Sequence, residues 1–158
     1  MNIPTIVSLL ALLLSIYSSI NTFYEKHRKT KFYIRWCSLV GGQLDTEFLF
    51  TNLSSRPVTI TRIRLITDCE VECSTLFPVV LLSREEKTVY SGDLPITISP
   101  RSSLSYLVAF QHLKDFSESN ELTFDFMIDG KNTKKITLPA NKYLSLQQLV
   151  RALESRMQ

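Results

Sequence analysis

The sequence predicts a mainly β chain, an antiparallel β-sandwich preceded by one transmembrane helix and followed by a short amphipathic helix. Three patterns predict it. Residues 3–20 carry no charged side chain. From residue 32 apolar side chains recur with period two, interrupted by Gly, Pro, Asn and Ser. Near the C-terminus the period changes to that of a helix. The chain divides accordingly into an anchor (1–24), a basic juxtamembrane collar (25–31), a sandwich domain (32–140) and a terminal helix (141–158). Without the first 31 of its 158 residues, 127 remain, the size of one domain around one core.

The anchor comes first. Ile3 to Ile20 is an uncharged run of 18 residues, extended by Asn21 to Tyr24, and a helix of about 20 residues spans a bilayer core. It reads as an uncleaved anchor rather than a signal peptide. No basic residue precedes it, it is long for a signal core, and Ser18-Ser19-Ile20-Asn21-Thr22-Phe23 offers no small-x-small cleavage site. Ala11, Ser15 and Ser19 recur at four-residue spacing, with Ser8 and Thr22 close to the same face. Such spacing lets two membrane helices approach closely, although small residues also occur there by chance.

The collar sets the expected sidedness. Lys26, Arg28, Lys29 and Lys31 follow the anchor, whereas Met1-Asn2 before it has no charged side chain. The positive-inside rule predicts an N-terminus outside and a cytoplasmic domain, with the collar facing anionic lipid. Between Tyr24 and Arg35 five basic residues stand against Glu25. Of 18 Lys and Arg and 15 Asp and Glu, that leaves 13 and 14, a domain of net charge −1 within a chain of +3. A nearly neutral domain argues against nucleic acid as a partner. Asn52-Leu53-Ser54 matches a glycosylation sequon and points the other way, but it falls at a predicted strand end.

In the domain, Phe32, Ile34 and Trp36 alternate with Tyr33, Arg35 and Cys37 up to the hairpin loop Gly41-Gly42-Gln43. Leu44, Thr46, Phe48 and Phe50 share the next face, opposite Asp45, Glu47 and Leu49. Asn52 to Pro57 is a turn. Val58 and Ile60 are out of phase with Ile63 and Leu65, so a bulge near Thr61-Arg62 is expected. Residues 67–90 are less regular, with one apolar run from Phe77 to Leu82. Leu94, Ile96 and Ile98 alternate again, as do Leu104 to Phe110 and, most clearly, Leu122 to Ile128. Asp129-Gly130 turns the chain into a last strand holding Ile136 and Leu138. Seven or eight short strands with turns between them read as an immunoglobulin-like sandwich, with a partly closed barrel as the alternative.

The terminal helix is marked by Leu146, Leu149, Val150, Leu153 and Met157. Ser145 and Gln148 form a capping box, and Leu144 and Leu149 are placed for a hydrophobic staple. The helix either packs on the sandwich or serves as a docking or oligomerisation surface.

The order of features resembles a class of uncharacterised bacterial and prophage single-pass membrane proteins. The resemblance rests on Tyr24 to Lys31, on Thr51-Asn52-Leu53-Ser54-Ser55-Arg56-Pro57-Val58-Thr59-Ile60, and on the turn Pro100-Arg101-Ser102-Ser103. It implies this architecture and no activity.

Chemistry leaves no mark on the sequence. His27 and His112 are isolated, and there is no Gly-rich phosphate loop. Asp125 and Asp129, like Glu70 and Glu72, read as exposed, solvating carboxylates. Cys37, Cys69 and Cys73 read as reduced structural thiols. On a strand Cys69 and Cys73 would stand roughly 13 Å apart, though a turn would bring them together. No cofactor, metal, catalytic residue or small-molecule substrate is expected. The expected role is a membrane-tethered, non-enzymatic module acting through contacts with another protein or a second copy. The alternative is a small single-pass subunit or modulator of a membrane complex, recognised through its transmembrane helix.

Overall fold

The computed structural model describes residues 2–26, 29–67, 71–73, 77–84, 87–113, 116–130 and 132–156. His27, Arg28, Cys69, Glu70 and Met157 lie outside the described residues, as do the side chains of Lys26, Glu72 and Cys73. The protein is mainly β, with one apolar N-terminal helix and one short C-terminal helix.

Helix α1 runs from Ile3 to Lys26. Its stretch Ile3–Tyr24, 22 residues, is long and apolar enough to cross a membrane, and none of its apolar window is buried by the rest of the chain. Two of its hydroxyls turn inward on the helix backbone. Ser8 Oγ donates to the Pro4 carbonyl at 2.9 Å and Thr22 Oγ1 to the Ser18 carbonyl at 2.8 Å, so neither hydroxyl needs water.

The described residues form ten strands: β1 (Lys31–Val40), β2 (Gln43–Asn52), β3 (Val58–Ile66), β4 (Val71–Cys73), β5 (Val80–Arg84), β6 (Lys87–Tyr90), β7 (Ile96–Ile98), β8 (Ser102–Phe110), β9 (Glu121–Ile128) and β10 (Asn132–Pro139). One sheet has the order β1-β2-β8. A second has β10-β9-β3-β4, with β7 also on β3, and β5-β6 is a separate hairpin. Gly41 (φ 57) and Gly42 (φ 78) make the β1–β2 turn. Both positions need the left-handed region, which glycine enters without steric cost.

The two larger sheets bury one aromatic core between them. Phe48 and Phe50 of β2, Phe110 of β8, and Phe124 and Phe126 of β9 are wholly buried. Phe32 stacks on Phe126 at 4.5 Å, and Phe48 meets Phe124 edge-on at 5.0 Å. Both are favourable ring geometries that tie one sheet to the other. Ile60, Ile63 and Leu65 all reach this core because the β3–β9 register shifts between Ile60 and Arg62. The extra residue restores a common inward face, as the phase slip in the sequence requires.

A second bulge corrects the reading of β1. Its register with β2 shifts between Ile34 and Trp36. Phe32 and Ile34 face the central core as expected, but beyond the bulge the faces exchange. Cys37 points into the core, and Trp36 joins a second cluster on the other side with Val89, Leu107, Leu149 and Leu153. Helix α2 (Leu146–Glu154) covers that side. Its capping box is formed: Ser145 Oγ accepts from the Gln148 N–H, and Gln148 Oε1 accepts from the Ser145 N–H at 3.1 Å. Leu144 packs on the same cluster as Leu149. The segment before the helix closes the outer edge of β1, where the Cys37 N–H donates to the Lys142 carbonyl (2.9 Å) and the Leu144 N–H to the Cys37 carbonyl (2.7 Å).

Candidate functional site: the covered face of the three-stranded sheet

The outer face of β1-β2-β8 is where structure departs most from the sequence reading. Glu47 and Asp45, on the side opposite the aromatic core, are not solvated; both are buried. Each buried carboxylate must find protein partners. Glu47 Oε1 accepts from Arg35 at 3.3 Å, from the Ser105 hydroxyl, and from Arg156 just past the end of α2. Three elements distant in sequence thus converge on one carboxylate. Asp45 accepts from Gln43 Nε2 at 2.7 Å, and Gln111 Nε2 donates to Gln43 Oε1 at 2.9 Å. Burial pushes the Asp45 carboxyl up to about 6 against the opposing effect of the Gln43 bond.

Beside this cluster an open cleft of about 610 Å³ separates β6 from β8, lined by Lys87, Thr88, Tyr90, Ser105, Tyr106 and Arg156 among others. At one end the Gly92 N–H donates to the Leu107 carbonyl at 2.7 Å. The Tyr106 ring lies across Gly92, where any Cβ would overlap it, and its hydroxyl donates to the Asp93 carbonyl. Burial first, then the nearby Asp93 charge, push the Tyr106 phenol up to about 12. The Ser105 hydroxyl and the Glu47 carboxylate are held in the ion-pair cluster, which gives both a structural employment.

No family model and no curated protein matches the chain. Among solved structures, a protein from Archaeoglobus fulgidus shares 10% identity, with 70% of this chain and 89% of that chain covered and a TM-score of 0.29. A Pseudomonas fluorescens alkylpurine DNA glycosylase AlkC bound to DNA containing an abasic site analog shares 10% identity, over 75% of this chain and 33% of that chain, also at 0.29. Likeness of that degree carries no argument about this chain.

The residues singled out in the sequence fall in three places. Ala11, Ser15 and Ser19 lie on α1, all exposed. Of the collar, Lys29 and Lys31 are exposed, and Lys26 closes α1. In α2, Leu149 and Leu153 are buried under Trp36 and Leu107, and their apolar surface is already used within the domain. Leu146 stays exposed and Val150 half-exposed, beside a shallow recess with Gln147 and Arg151. His112 is exposed at a positive φ of 63. Among the described residues no group of three His, Cys, Asp or Glu could hold a metal ion. The Cys37 thiol is wholly buried, and burial pushes it up to about 12, so it is a packing group rather than a nucleophile.

One further correction concerns Asp125, and the expected strand-end place of Asn52 is met. Asp125 is buried, and it pairs with Arg64 directly opposite on β3. Asn52 of the sequon is wholly buried. Its Nδ2 donates to the carbonyls of Arg56 (2.7 Å), Ile98 (3.2 Å) and Ser99 (3.2 Å), and its Oδ1 accepts from the Ser54 N–H (2.9 Å) and hydroxyl (2.7 Å). The Asn52 amide of the folded domain is therefore inaccessible to a glycosyl donor.

Proposed function

We propose that the protein is a membrane-tethered, non-enzymatic binding or assembly module. In this reading α1 is an uncleaved anchor, the collar rests on anionic lipid, and an immunoglobulin-like domain meets another protein or a second copy. One observation carries it. Ile3–Tyr24 is long and apolar enough to cross a membrane, and none of its apolar window is buried by the domain, so a bilayer would supply the apolar surroundings that the fold does not. The immunoglobulin-like assignment is supported by strand order. Of the six long strands, the first, second and fourth (β1, β2, β8) share one sheet and the third, fifth and sixth (β3, β9, β10) the other. That is the division of strands A, B, E from C, F, G in such domains.

A cytoplasmic domain is supported by the basic collar, by the free buried Cys37, and by the inaccessible Asn52 amide. The non-enzymatic reading is supported by Glu47, whose contacts are with Arg35, Arg156 and Ser105. Carbonate washing of membranes tests the anchor. The protein is expected to stay in the membrane pellet with residues 1–24 intact; release, or a mature N-terminus near residue 20, refutes it. Labelling of Ser119→Cys by an impermeant thiol reagent in intact cells tests sidedness, and labelling before lysis overturns a cytoplasmic domain.

The exposure of Ala11, Ser15 and Ser19 along α1 favours a second reading, in which a membrane complex recognises the helix itself. Replacing α1 by an unrelated span separates the two. Retained partner capture supports the domain, and lost capture supports the helix.

A further inference from the structure

We propose that the end of the domain next to the anchor is itself a lipid-docking surface, which seats the domain on the anionic bilayer that α1 enters. The inference rests on the anchor reading and goes beyond the collar. Strand register defines this end. Lys31 pairs with Thr51 and Thr51 with Ser103, so the β2–β3 turn (53–57) and the β7–β8 turn (99–101) flank the point where the chain leaves α1. Only the stretch from Lys26 to Lys31 joins helix to sheet, a reach of at most about 18 Å. The β9–β10 turn lies at the same end, since Asp129 and Thr59 are hydrogen-bonded there, the Asp129 N–H donating to the Thr59 carbonyl (2.8 Å) and the Thr59 N–H to the Asp129 side-chain Oδ1 (3.0 Å).

The charge at this end is one-sided. Arg56 and Arg101 stand exposed on the two turns, with Lys29 and Lys31 beside them. Lys134 Nζ sits 5.3 Å from the Phe32 ring centroid at the start of β1. Among the described side chains at this end, Asp129 is the acidic one, and its carboxylate accepts the Thr59 N–H; Glu25, at the end of α1, adds one further acidic residue on the anchor side. Among the described residues at the opposite end, exposed Glu118 and Glu121 stand with exposed Lys142, so no cationic excess is seen there. A negatively charged lipid surface attracts the first end and gives no such attraction to the second.

The surface is also rigid. Asn52 Nδ2 ties the Arg56 carbonyl to those of Ile98 and Ser99, and the Arg101 N–H donates to the Ser54 carbonyl at 3.1 Å. The two arginine-bearing turns are thereby clamped into one unit, so ordering them on a headgroup layer costs little entropy.

The test uses the full chain in nanodiscs with Cys69→Ser and Cys73→Ser; Cys37 is buried and stays. A fluorophore is placed at Ser55→Cys near the anchor, or at Ser117→Cys on the far end, and quenched by headgroup-labelled lipid. Strong quenching at position 55 is expected in anionic discs, weak quenching in zwitterionic discs, and weak quenching at position 117 in both. Arg56→Gln with Arg101→Asn should lower the docked-to-undocked ratio by about 25-fold, on the order of fivefold per basic residue. Unchanged Trp36 emission verifies the fold of that variant. High salt should do the same to the unmodified chain, because the screening length falls to about 3 Å at 1 M. Quenching at position 55 that ignores lipid charge, salt and both substitutions, or that equals quenching at position 117, overturns the docking surface. A chain that never enters the discs refutes the anchor instead, and the docking surface with it.

Discussion

Asn52→Ala tests whether the buried amide organises the turn end of the domain. The side chain makes five hydrogen bonds, three through Nδ2 and two through Oδ1. At a net contribution of about 1 kcal/mol each, the ceiling is about 5 kcal/mol. Two amide hydrogens shared among three carbonyls, and water entering the vacated space, reduce this to about 3 kcal/mol. The fragment 31–158 is suited to the measurement and is expected to fold alone as a mainly β domain, since its cores are closed without α1. With a urea slope of about 2 kcal/mol/M, the midpoint should fall by about 1.5 M. Exposed Ser55→Ala should move it by less than the equivalent of about 0.5 kcal/mol. Asn52→Asp retains an acceptor for Ser54 but turns oxygen toward three carbonyls, and should cost at least as much as Ala. A loss below about 1 kcal/mol for Asn52→Ala, or one equal to that of Ser55→Ala, would refute the clamp.

Three other outcomes follow from the same packing. Asp45 has its folded pKa raised to about 6 from 3.8. The folded state then holds the proton more tightly, so stability should fall as pH rises from about 4 to 6 and stay lower above, by up to about 3 kcal/mol; Asp45→Asn should abolish that slope in urea titrations. Phe126→Ala should cost about 3–5 kcal/mol from the aromatic core, while Asp125→Ala should cost about 1–2 kcal/mol by stranding Arg64; a neutral Asp125→Ala would contradict the pair. Leu153→Ala should loosen α2, cost about 2–4 kcal/mol, and red-shift emission from Trp36, the chain's one tryptophan; an unchanged spectrum would show that α2 does not cover Trp36.

Much of the fold was legible because its signals are local. Alternation over residues 104–110 and 122–128 reports which side chains face a core, whatever that core contains. Gly41-Gly42 and the Ser145–Gln148 box act within a few residues of themselves, and both formed as their residue types require. The β3 bulge was visible because apolar residues lie on both sides of the slip. The β1 bulge at Arg35 was not, because Phe32, Ile34 and Trp36 keep perfect period two while Trp36 turns to a different hydrophobic cluster. Periodicity counts apolar positions but cannot say which of two cores receives them.

The charged and polar residues were decided by tertiary structure alone. Asp45, Glu47, Asp125 and Asn52 have ordinary exposed-face or turn positions in the sequence, and burial came from elements that arrive from far along the chain. Arg156 reaches Glu47 across 109 residues, and Asn52 reaches Ile98 and Ser99 across 46 and 47. Covering a carboxylate removes its water and makes a distant guanidinium a requirement, a relation that no local pattern encodes. By itself the sequence determined an apolar span, a basic collar, a β domain and a capped helix, since each is a property of neighbouring residues. The fold decided which face of the three-stranded sheet is covered, and which charges gather at the end nearest the anchor, because pairing register brings together residues that the chain keeps apart.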